Sequence, residues 1–185
     1  GATWIGPSTE AITTMGDKMA ARKLANSVGA PIIPGTTEPI KNFDEALEMA
    51  QNIGFPVLVK AAGGGGGKGM RIVHSESEFE DAVKRAKSEA KKAFSDDRVY
   101  MEKFLEEPHH IEIQIFADNH GNVVSLGERE CSIQRRYQKI IEETPSPFID
   151  DELRKSLSQT AIKITKECDY SGAGTVEFLV DIHKN

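Results

Sequence analysis

Residues 57–74 have the sequence VLVKAAGGGGGKGMRIVH. The apolar run 57–59 and the run 70–74 predict two short strands, so the glycines, Lys68 and Gly69 lie in the connection between them. Because glycine has no Cβ atom, such a connection can approach a phosphate closely and turn its N–H groups inward as anion donors. The segment predicts a phosphate-binding lid, and a connector without a ligand is the alternative.

Two familiar phosphate motifs do not fit this glycine segment. A Walker A loop is excluded because Ala62 occupies its first glycine position and Gly69 replaces the Ser or Thr that should follow Lys68. Gly64, Gly66 and Gly69 satisfy the dinucleotide pattern G-x-G-x-x-G, but any glycine run does so. No helix is predicted directly after the loop, and the dinucleotide interpretation therefore fails.

Helices are predicted on both sides of the glycine segment. An apolar side through residues 15–25 predicts a first helix, which Gly29 and a following proline end. Asn42 with Glu45, and Ser75 with Glu78, have the spacing of capping boxes and predict the starts of two more helices. Apolar spacing in residues 153–164 predicts a fourth.

Strands are predicted mainly in the second half of the chain. Ile111, Ile113 and Ile115 alternate with polar residues, the period-two pattern of a half-buried strand. Further strands are predicted at residues 99–103, 123–131 and 175–182, and a short one at Ile32 and Ile33. The order of helices and hairpin pairs predicts the α+β class, with two small lobes joined near residues 104–108.

Composition excludes several classes of protein. The 185 residues carry 23 Lys+Arg and 29 Asp+Glu, a net charge of −6, which argues against a general nucleic-acid binder. No apolar stretch is long enough to cross a membrane, and the first residues do not have the pattern of a secretory signal. Cys131 and Cys168 fit no metal spacing and indicate reduced thiols. A cytoplasmic location is predicted, or the mitochondrial matrix in a eukaryote.

The first half contains candidate nucleotide-binding residues. Lys60 ends an apolar strand just before the glycines and could reach the same phosphates, although a lysine there often only extends into water. Lys18 could do the same, or could lie at a solvated helix start. Residues 102–105 could offer backbone groups and an apolar wall to an adenine ring, or could form an ordinary strand end.

The second half contains candidate residues for a metal and a small anion. His110, Glu112 and Gln114 share one strand face, which is solvated in many proteins. Residues 128–139 are dense in charged side chains and would suit a small anion near phosphates, or a solvent-facing strand and turn. Glu177 lies in an apolar strand, where a carboxylate could bind Mg²⁺; an outward strand position is the alternative.

Together, these segments resemble the ATP-grasp portion of biotin carboxylase, a component of acetyl-CoA, propionyl-CoA and pyruvate carboxylases. The likeness runs in order through residues 5–7 (IGP), 15–18 (MGDK), 60–69, 101–103 (MEK), 110–114 (HIEIQ), 128–139 and 172–178 (GAGTVEF). The run ECSIQRR at residues 130–136 is specific to this family. The resemblance implies an ATP-grasp fragment, with residues 1–31 as a helical linker, 32–104 as the lid lobe and 105–185 as the start of a C-terminal lobe.

The resemblance also implies roles for individual residues. Those assigned to ATP, together with the loop lysine, are Lys18, Lys60, Gly66, Gly67, Lys68, Glu102, Lys103, Phe104, Leu105, His110, Gln134, Tyr137 and Glu177. Tyr137 stands where many members have His or Asn. Lys139 falls at the bicarbonate-binding lysine and is the candidate catalytic residue. Glu177 falls at the first of two magnesium-ligating glutamates.

The implied reaction is ATP-dependent carboxylation of biotin, with Mg²⁺ or Mn²⁺. Bicarbonate attacks the γ-phosphorus of ATP to give carboxyphosphate, which delivers CO₂ to biotin on a carrier protein or domain. Implied partners are this carrier and a carboxyltransferase component, in a homo-oligomeric parent without nucleic acid or membrane. Which acyl-CoA or keto acid finally accepts the carboxylate is set by a different domain.

The chain also resembles a central excerpt, ending before the family's second metal glutamate, and the excerpt alone is expected to be inactive. Two alternatives stay open. One is another ATP-grasp ligase, such as a carbamoyl-phosphate synthetase-like domain, although residues 134–136 count against it. The other is a nucleotide-binding module without catalysis.

Overall fold

The computed structural model describes residues 1–63 and 69–183. Its helices and strands, in chain order, are α1 (Thr9–Gly16), α2 (Lys18–Ser27), α3 (Phe43–Ile53), β1 (Val57–Ala61), β2 (Arg71–Val73), α4 (Glu76–Phe94), β3 (Val99–Lys103), β4 (His109–Ala117), β5 (Val123–Arg135), β6 (Gln138–Glu143), α5 (Asp151–Glu167) and β7 (Gly172–Val180). They form two antiparallel sheets with accompanying helices, which confirms the α+β class. Among the helices of residues 1–63 and 69–183, none combines the length and the hydropathy of a transmembrane span.

The three-stranded unit comprises Gly16–Asn26 and Pro31–Phe104. Its sheet has the order β2-β1-β3, and β1 runs antiparallel to both neighbours. One face of this sheet packs against α4, and α3 packs on α4 in turn. The fully buried side chains of this core include Val57, Val59, Val73, Phe79, Val83, Val99 and Met101. Because side chains alternate along a strand, the other face is left for polar residues.

The two predicted capping boxes of this unit have different outcomes. Asn42 is the N-cap of α3, and its side-chain oxygen accepts a hydrogen bond from the first turn of that helix. Ser75 precedes α4 but makes no side-chain capping bond, because its hydroxyl pairs with the Ser77 hydroxyl at 3.0 Å. The Glu78 carboxylate accepts instead from the His74 N–H at 3.2 Å. The predicted helix is confirmed, whereas the predicted box at Ser75 is wrong.

The predicted strand at Ile32 and Ile33 is also wrong. Prolines flank this pair and supply no N–H donors, and neither isoleucine lies in a strand. Instead, the backbone approaches β3 closely at Gly35, which forms an isolated bridge with Glu102. A Cβ atom at residue 35 would lie 2.3 Å from the Met101 carbonyl oxygen, so this approach requires glycine.

The four-stranded unit comprises Gly1–Met15, Ser27–Ala30 and Leu105–Asn185. Its sheet has the order β6-β5-β4-β7, and every neighbouring pair is antiparallel. The isoleucines predicted to lie on one face of β4 are buried against α5, in a core of Ile111, Ile113, Ile115, Ile149, Leu157, Ala161 and Val180. The predicted ends of the helical linker at residue 31 and of the lid lobe at residue 104 stay a prediction.

Strand β6 is an element that the sequence did not predict. The strand expected at residues 123–131 continues to Arg135 and is joined to β6 by a two-residue turn. Both turn residues are left-handed, with φ of 52° at Arg136 and 64° at Tyr137. Such hairpin turns are normally signalled by Asn-Gly or Asp-Gly. The Arg-Tyr pair gives no such signal.

Candidate functional site

In the three-stranded unit, predicted site residues cluster on the sheet face opposite the core. Strand register places Leu58 opposite Glu102 and Lys60 opposite Tyr100, so Lys60 and Glu102 share this face. The Glu102 side chain is only 5% exposed, and its Oε1 is ion-paired with the Lys60 ammonium. Its Oε2 lies 3.4 Å from Nη1 of Arg22. Arg22, on α2, completes the cluster.

Lys18 adds a further positive charge to this cluster. Burial lowers the pKa of the Lys18 ammonium, the Lys60 ammonium lowers it further, and the Glu102 carboxylate partly offsets both effects. Within residues 1–63 and 69–183, Lys18 has no ion-pair partner. The cluster therefore contains three cations, Lys18, Lys60 and Arg22, around one carboxylate. Such an excess of positive charge suits an anion with several negative charges, such as a polyphosphate.

Lys103 lies at the end of β3, next in sequence to Glu102. Its ammonium donates hydrogen bonds to the carbonyl oxygens of Gly54, at 2.9 Å, and Phe55, at 3.2 Å. These acceptors are uncharged, and no carboxylate of the described chain forms an ion pair with Lys103. The Phe104 N–H donates to the Pro56 carbonyl at 3.1 Å. The side chain of Lys103 is thus fixed to the end of α3 while its charge stays uncompensated.

In the four-stranded unit, a charged network covers the sheet face opposite the isoleucines. Glu112 on β4 lies opposite Arg129 on β5 and opposite Glu177 on β7. The Lys139 ammonium is ion-paired with Glu112 Oε1 and donates to Glu177 Oε2 at 2.7 Å. Arg129 Nη2 donates to Glu112 Oε2 at 2.8 Å. Glu112 is buried, so the alternative of a merely solvated face does not apply at this position.

Glu177 is held in its ionised form by its neighbours. The His110 imidazole, with Nδ1 3.6 Å from Oε1, and the Lys139 ammonium lower the pKa of Glu177 to about 2. The side chain is 44% exposed and accessible to a ligand. The network therefore presents an ionised carboxylate beside an ammonium group, which are groups able to bind a cation and a small anion respectively.

Gln134 and Tyr137 lie at the hairpin formed by β5 and β6. Gln134 pairs with Lys139 in the strand register, and its side-chain amide donates to the Cys131 carbonyl at 3.0 Å. Tyr137 lies in the turn and is exposed. Gln134 is thereby brought next to the Lys139 network, whereas no described contact ties the Tyr137 side chain to it.

The predicted site residues therefore fall into two groups. Lys18, Lys60 and Glu102 are brought together in the three-stranded unit, and His110, Lys139 and Glu177 in the four-stranded unit. Leu105 is the first residue of a segment of the four-stranded unit. Gly66, Gly67 and Lys68 lie outside the described residues.

Sequence reasoning missed two arginines of these clusters. Arg22 lies one helical turn after Lys18, and this spacing of four residues places both side chains on one face of α2. That spacing could have drawn attention to it. Arg129 belongs to the charged segment 128–139, and nothing in the sequence reveals that β5 places it opposite Glu112.

A divalent metal would find few protein ligands here. The described residues contain no group of three or more His, Cys, Asp or Glu side chains arranged to hold a metal. Glu177 nevertheless fits Mg²⁺, because it is an ionised and accessible oxygen donor, and Mg²⁺ is often held by one or two carboxylates plus phosphates and waters. Cys131 and Cys168 are free thiols.

A family model described as carbamoyl-phosphate synthase L chain, ATP binding domain, matches residues 17–185. A biotin carboxylase from Nostoc sp. is 51% identical over 178 residues, which are 96% of this chain and 40% of that protein. The mitochondrial pyruvate carboxylase of Rattus norvegicus is 50% identical over 183 residues, which are 99% of this chain and 16% of that protein. The chain thus spans less than half the length of either relative.

Solved structures agree with these relatives. The biotin carboxylase domain dimer of Hydrogenobacter thermophilus 2-oxoglutarate carboxylase was crystallised with MgADP, ADP and bicarbonate. It matches this chain with a TM-score of 0.94 and 43% identity, covering 100% of this chain and 41% of that one. The match confirms the predicted ATP-grasp fold.

Proposed function

The chain belongs to the carbamoyl-phosphate synthase L chain ATP-binding domain family, and we propose that it contributes ATP and bicarbonate binding to a biotin carboxylase. Relatives that share about half of its residues are biotin-dependent carboxylases, so the resemblance seen in the sequence is confirmed. The family takes its name from carbamoyl-phosphate synthase, the alternative that residues 134–136 count against. The identity to biotin carboxylases favours the carboxylase function.

The observation that carries the ATP proposal is the excess of cations around Glu102. Three cations face one carboxylate in the three-stranded unit, and Lys18 has a pKa lowered first by burial and then by the neighbouring Lys60. Crowded ammonium groups repel one another, and a triphosphate would remove that repulsion while gaining charge-assisted hydrogen bonds. Lys18 and Lys60 are therefore proposed to bind phosphates of ATP, as residues 102–105 are proposed to bind its adenine.

The charged network of the four-stranded unit is proposed to serve bicarbonate and magnesium. Lys139 would bind bicarbonate through its ammonium group, and Glu177 would hold Mg²⁺ as an ionised carboxylate. Bound Mg²⁺ neutralises phosphate charge. His110 and Lys139 keep Glu177 ionised, while Lys139 orients the bicarbonate that attacks the γ-phosphorus of ATP. His110, Gln134 and Tyr137 are proposed as further ATP contacts.

The whole reaction is proposed for a protein in which this chain is one part. Carboxyphosphate would deliver CO₂ to biotin on a carrier protein or domain, and a carboxyltransferase component would use the product. The homo-oligomeric state and the cytoplasmic or mitochondrial location stay predictions. We expect the 185 residues alone to bind ATP without carboxylating biotin.

A chimera tests the proposed function. The matching segment of the Nostoc biotin carboxylase is replaced by this chain, and ATP hydrolysis that depends on both bicarbonate and biotin is measured. We expect turnover within about tenfold of the unmodified Nostoc enzyme. The same chimera with Lys139→Gln serves as the control with impaired turnover. A folded chimera that binds ATP but shows no biotin-dependent turnover would contradict the proposal.

A further inference from the structure

Glu102 is a buried carboxylate that contacts two cations through separate oxygen atoms. Oε1 is ion-paired with Lys60, and Oε2 lies 3.4 Å from Arg22 Nη1. The three side chains are only 5%, 19% and 12% exposed, for Glu102, Lys60 and Arg22 respectively. Removal of the partners of a buried charge is strongly unfavourable, but one well-placed cation is enough to compensate one carboxylate. One of the two cations is therefore in excess.

Arg22 is anchored independently of Lys60. Its Nη2 donates to the Ile33 carbonyl at 2.7 Å, and its guanidinium carbon lies 5.9 Å from the centroid of the Tyr100 ring. These contacts would persist if the Lys60 ammonium moved away. Lys60, by contrast, has Glu102 as its one ion-pair partner in the part of the chain that the structure describes.

The guanidinium of Arg22 also has unused bonding capacity. The 3.4 Å contact with Glu102 is long compared with the 2.7–2.9 Å typical of charge-assisted bonds. Its Nε is buried and has no hydrogen-bond partner among residues 1–63 and 69–183. A small shift of the Glu102 carboxylate toward Nη1 would shorten and strengthen this contact without disturbing the bond from Nη2 to Ile33.

We propose that Arg22 is a positioning residue that keeps Glu102 compensated, so that the Lys60 ammonium can leave it for a phosphate of ATP. This inference rests on the proposed role of Lys60 in ATP binding. Without Arg22, a Lys60 that turned to the phosphate would leave a buried carboxylate without an ion-paired cation. Lys60 would then stay with Glu102, and the phosphate would lose its contact.

The same arrangement recurs in the four-stranded unit, on unrelated strands. Glu112 is ion-paired with Lys139 through Oε1 and accepts from Arg129 Nη2 through Oε2 at 2.8 Å. Arg129 is anchored separately, because its Nη1 donates to the Gln114 side-chain oxygen at 2.9 Å. In both units, therefore, a lysine proposed to bind a substrate anion rests on a buried carboxylate that an arginine also holds. The repetition supports a shared purpose for the arginines.

ATP affinity is the first test, measured by calorimetry on the 185-residue chain. We expect Arg22→Gln to weaken ATP binding about tenfold or more, as Lys60→Gln does. Arg22→Lys, which keeps the charge, should retain most of the affinity. The double variant Arg22→Gln with Glu102→Gln should recover it to within about threefold, because no buried carboxylate then holds Lys60 and the adenine contact proposed for residue 102 uses backbone groups that glutamine keeps. Arg85→Gln, an exposed arginine on α4, is the matched control.

A stability cycle provides a test that needs no nucleotide. Urea unfolding is compared for Arg22→Gln, Lys60→Gln and the combination of both. We expect each single change to raise the equilibrium constant of unfolding moderately, and the combination to raise it far more than the product of the two single effects, because only then is Glu102 left without an ion-paired cation. In a Glu102→Gln background, we expect the effects of the two changes on the equilibrium constant of unfolding to multiply, as those of independent sites do. If the variant with both Arg22→Gln and Lys60→Gln does not fold, the inference is decided by the ATP affinities of Arg22→Gln and of its combination with Glu102→Gln.

The possible outcomes separate this inference from the proposed function. If the wild-type chain binds ATP, and Lys60→Gln weakens this binding but Arg22→Gln does not, the inference is overturned and the proposed function is not. Independent effects in the stability cycle would overturn it as well. Absence of ATP binding by the wild-type chain would overturn both the proposed role of Lys60 and the inference that depends on it. Loss in Arg22→Gln with recovery in the double variant would establish the role of Arg22.

Discussion

Replacement of Glu177 by Gln removes a carboxylate that its neighbours hold in the ionised form. His110 and Lys139 lower the pKa of Glu177 from the ordinary value of 4.5 to about 2. Because the folded-state pKa is below that of the unfolded chain, the ionised group stabilises the fold. This contribution is fully present above the unfolded-state pKa and is lost as the pH falls toward the folded-state pKa.

The magnitude follows from the two pKa values and from solvent exposure. The difference between 4.5 and about 2 corresponds to about 3 kcal/mol if no screening is considered. The side chain is 44% exposed, so solvent screens its interactions, and we expect about 1 kcal/mol at neutral pH. Glutamine keeps an acceptor for Lys139 but no charge. The stability advantage of the wild-type chain over Glu177→Gln should therefore be lost as the pH falls from about 5 to about 2.

Urea unfolding monitored by circular dichroism, without metal ions, measures this difference at neutral pH and at about pH 3. Glu142→Gln is the matched control, because Glu142 is similarly exposed and lies 3.5 Å from Arg129 Nε. We expect that control to change the free energy of unfolding by less than about 0.5 kcal/mol. Equal stability of wild type and Glu177→Gln at neutral pH, or a difference that grows on acidification, would refute the reasoning.

Three further predictions concern the nucleotide, bicarbonate and a helix start. Lys60→Gln should weaken ATP binding by roughly 1.5–3 kcal/mol through loss of a charge-assisted contact, whereas the exposed Lys92→Gln should not; calorimetry measures both. In the Nostoc chimera, Lys139→Gln should impair bicarbonate-dependent turnover more than ATP affinity, and kinetics at varied bicarbonate and at varied ATP measure the two effects. A fall in ATP affinity with a normal dependence on bicarbonate would contradict this role. Asp150→Ala should lower the free energy of unfolding by about 1 kcal/mol, because Asp150 accepts from the Leu153 N–H at 3.0 Å; unchanged urea unfolding would exclude this cap.

Local patterns in the sequence were enough to predict most helices and strands. The alternation at Ile111 and Ile113 predicted β4 because a sheet with one buried face imposes a period of two. The Asn42 cap predicted the start of α3 for an equally local reason. The β6 hairpin was missed because Arg136 and Tyr137 adopt left-handed backbone angles without a residue type that favours them.

The candidate site was less predictable because its contacts join distant segments. The shared face of His110 and Glu112 follows from alternation along one strand. The positions of Arg129, Lys139 and Glu177 around Glu112 follow from the register between strands, which side-chain spacing within one strand does not specify. Their proposed roles came from resemblance to a family, and the network itself appears only in the structure.

The close approach of Gly35 to β3 limits how this part of the sequence can vary during evolution or in a mutant library. Any side chain at residue 35 would begin 2.3 Å from the Met101 carbonyl oxygen and 2.8 Å from the Glu102 Cα atom. The strand would have to shift, and Glu102 would then move away from its partners Lys60 and Arg22. A library selected for ATP binding would therefore lose nearly every substitution at residue 35, although this glycine offers no functional group of its own. Variation there would be tolerated only together with a second change that moves β3 back.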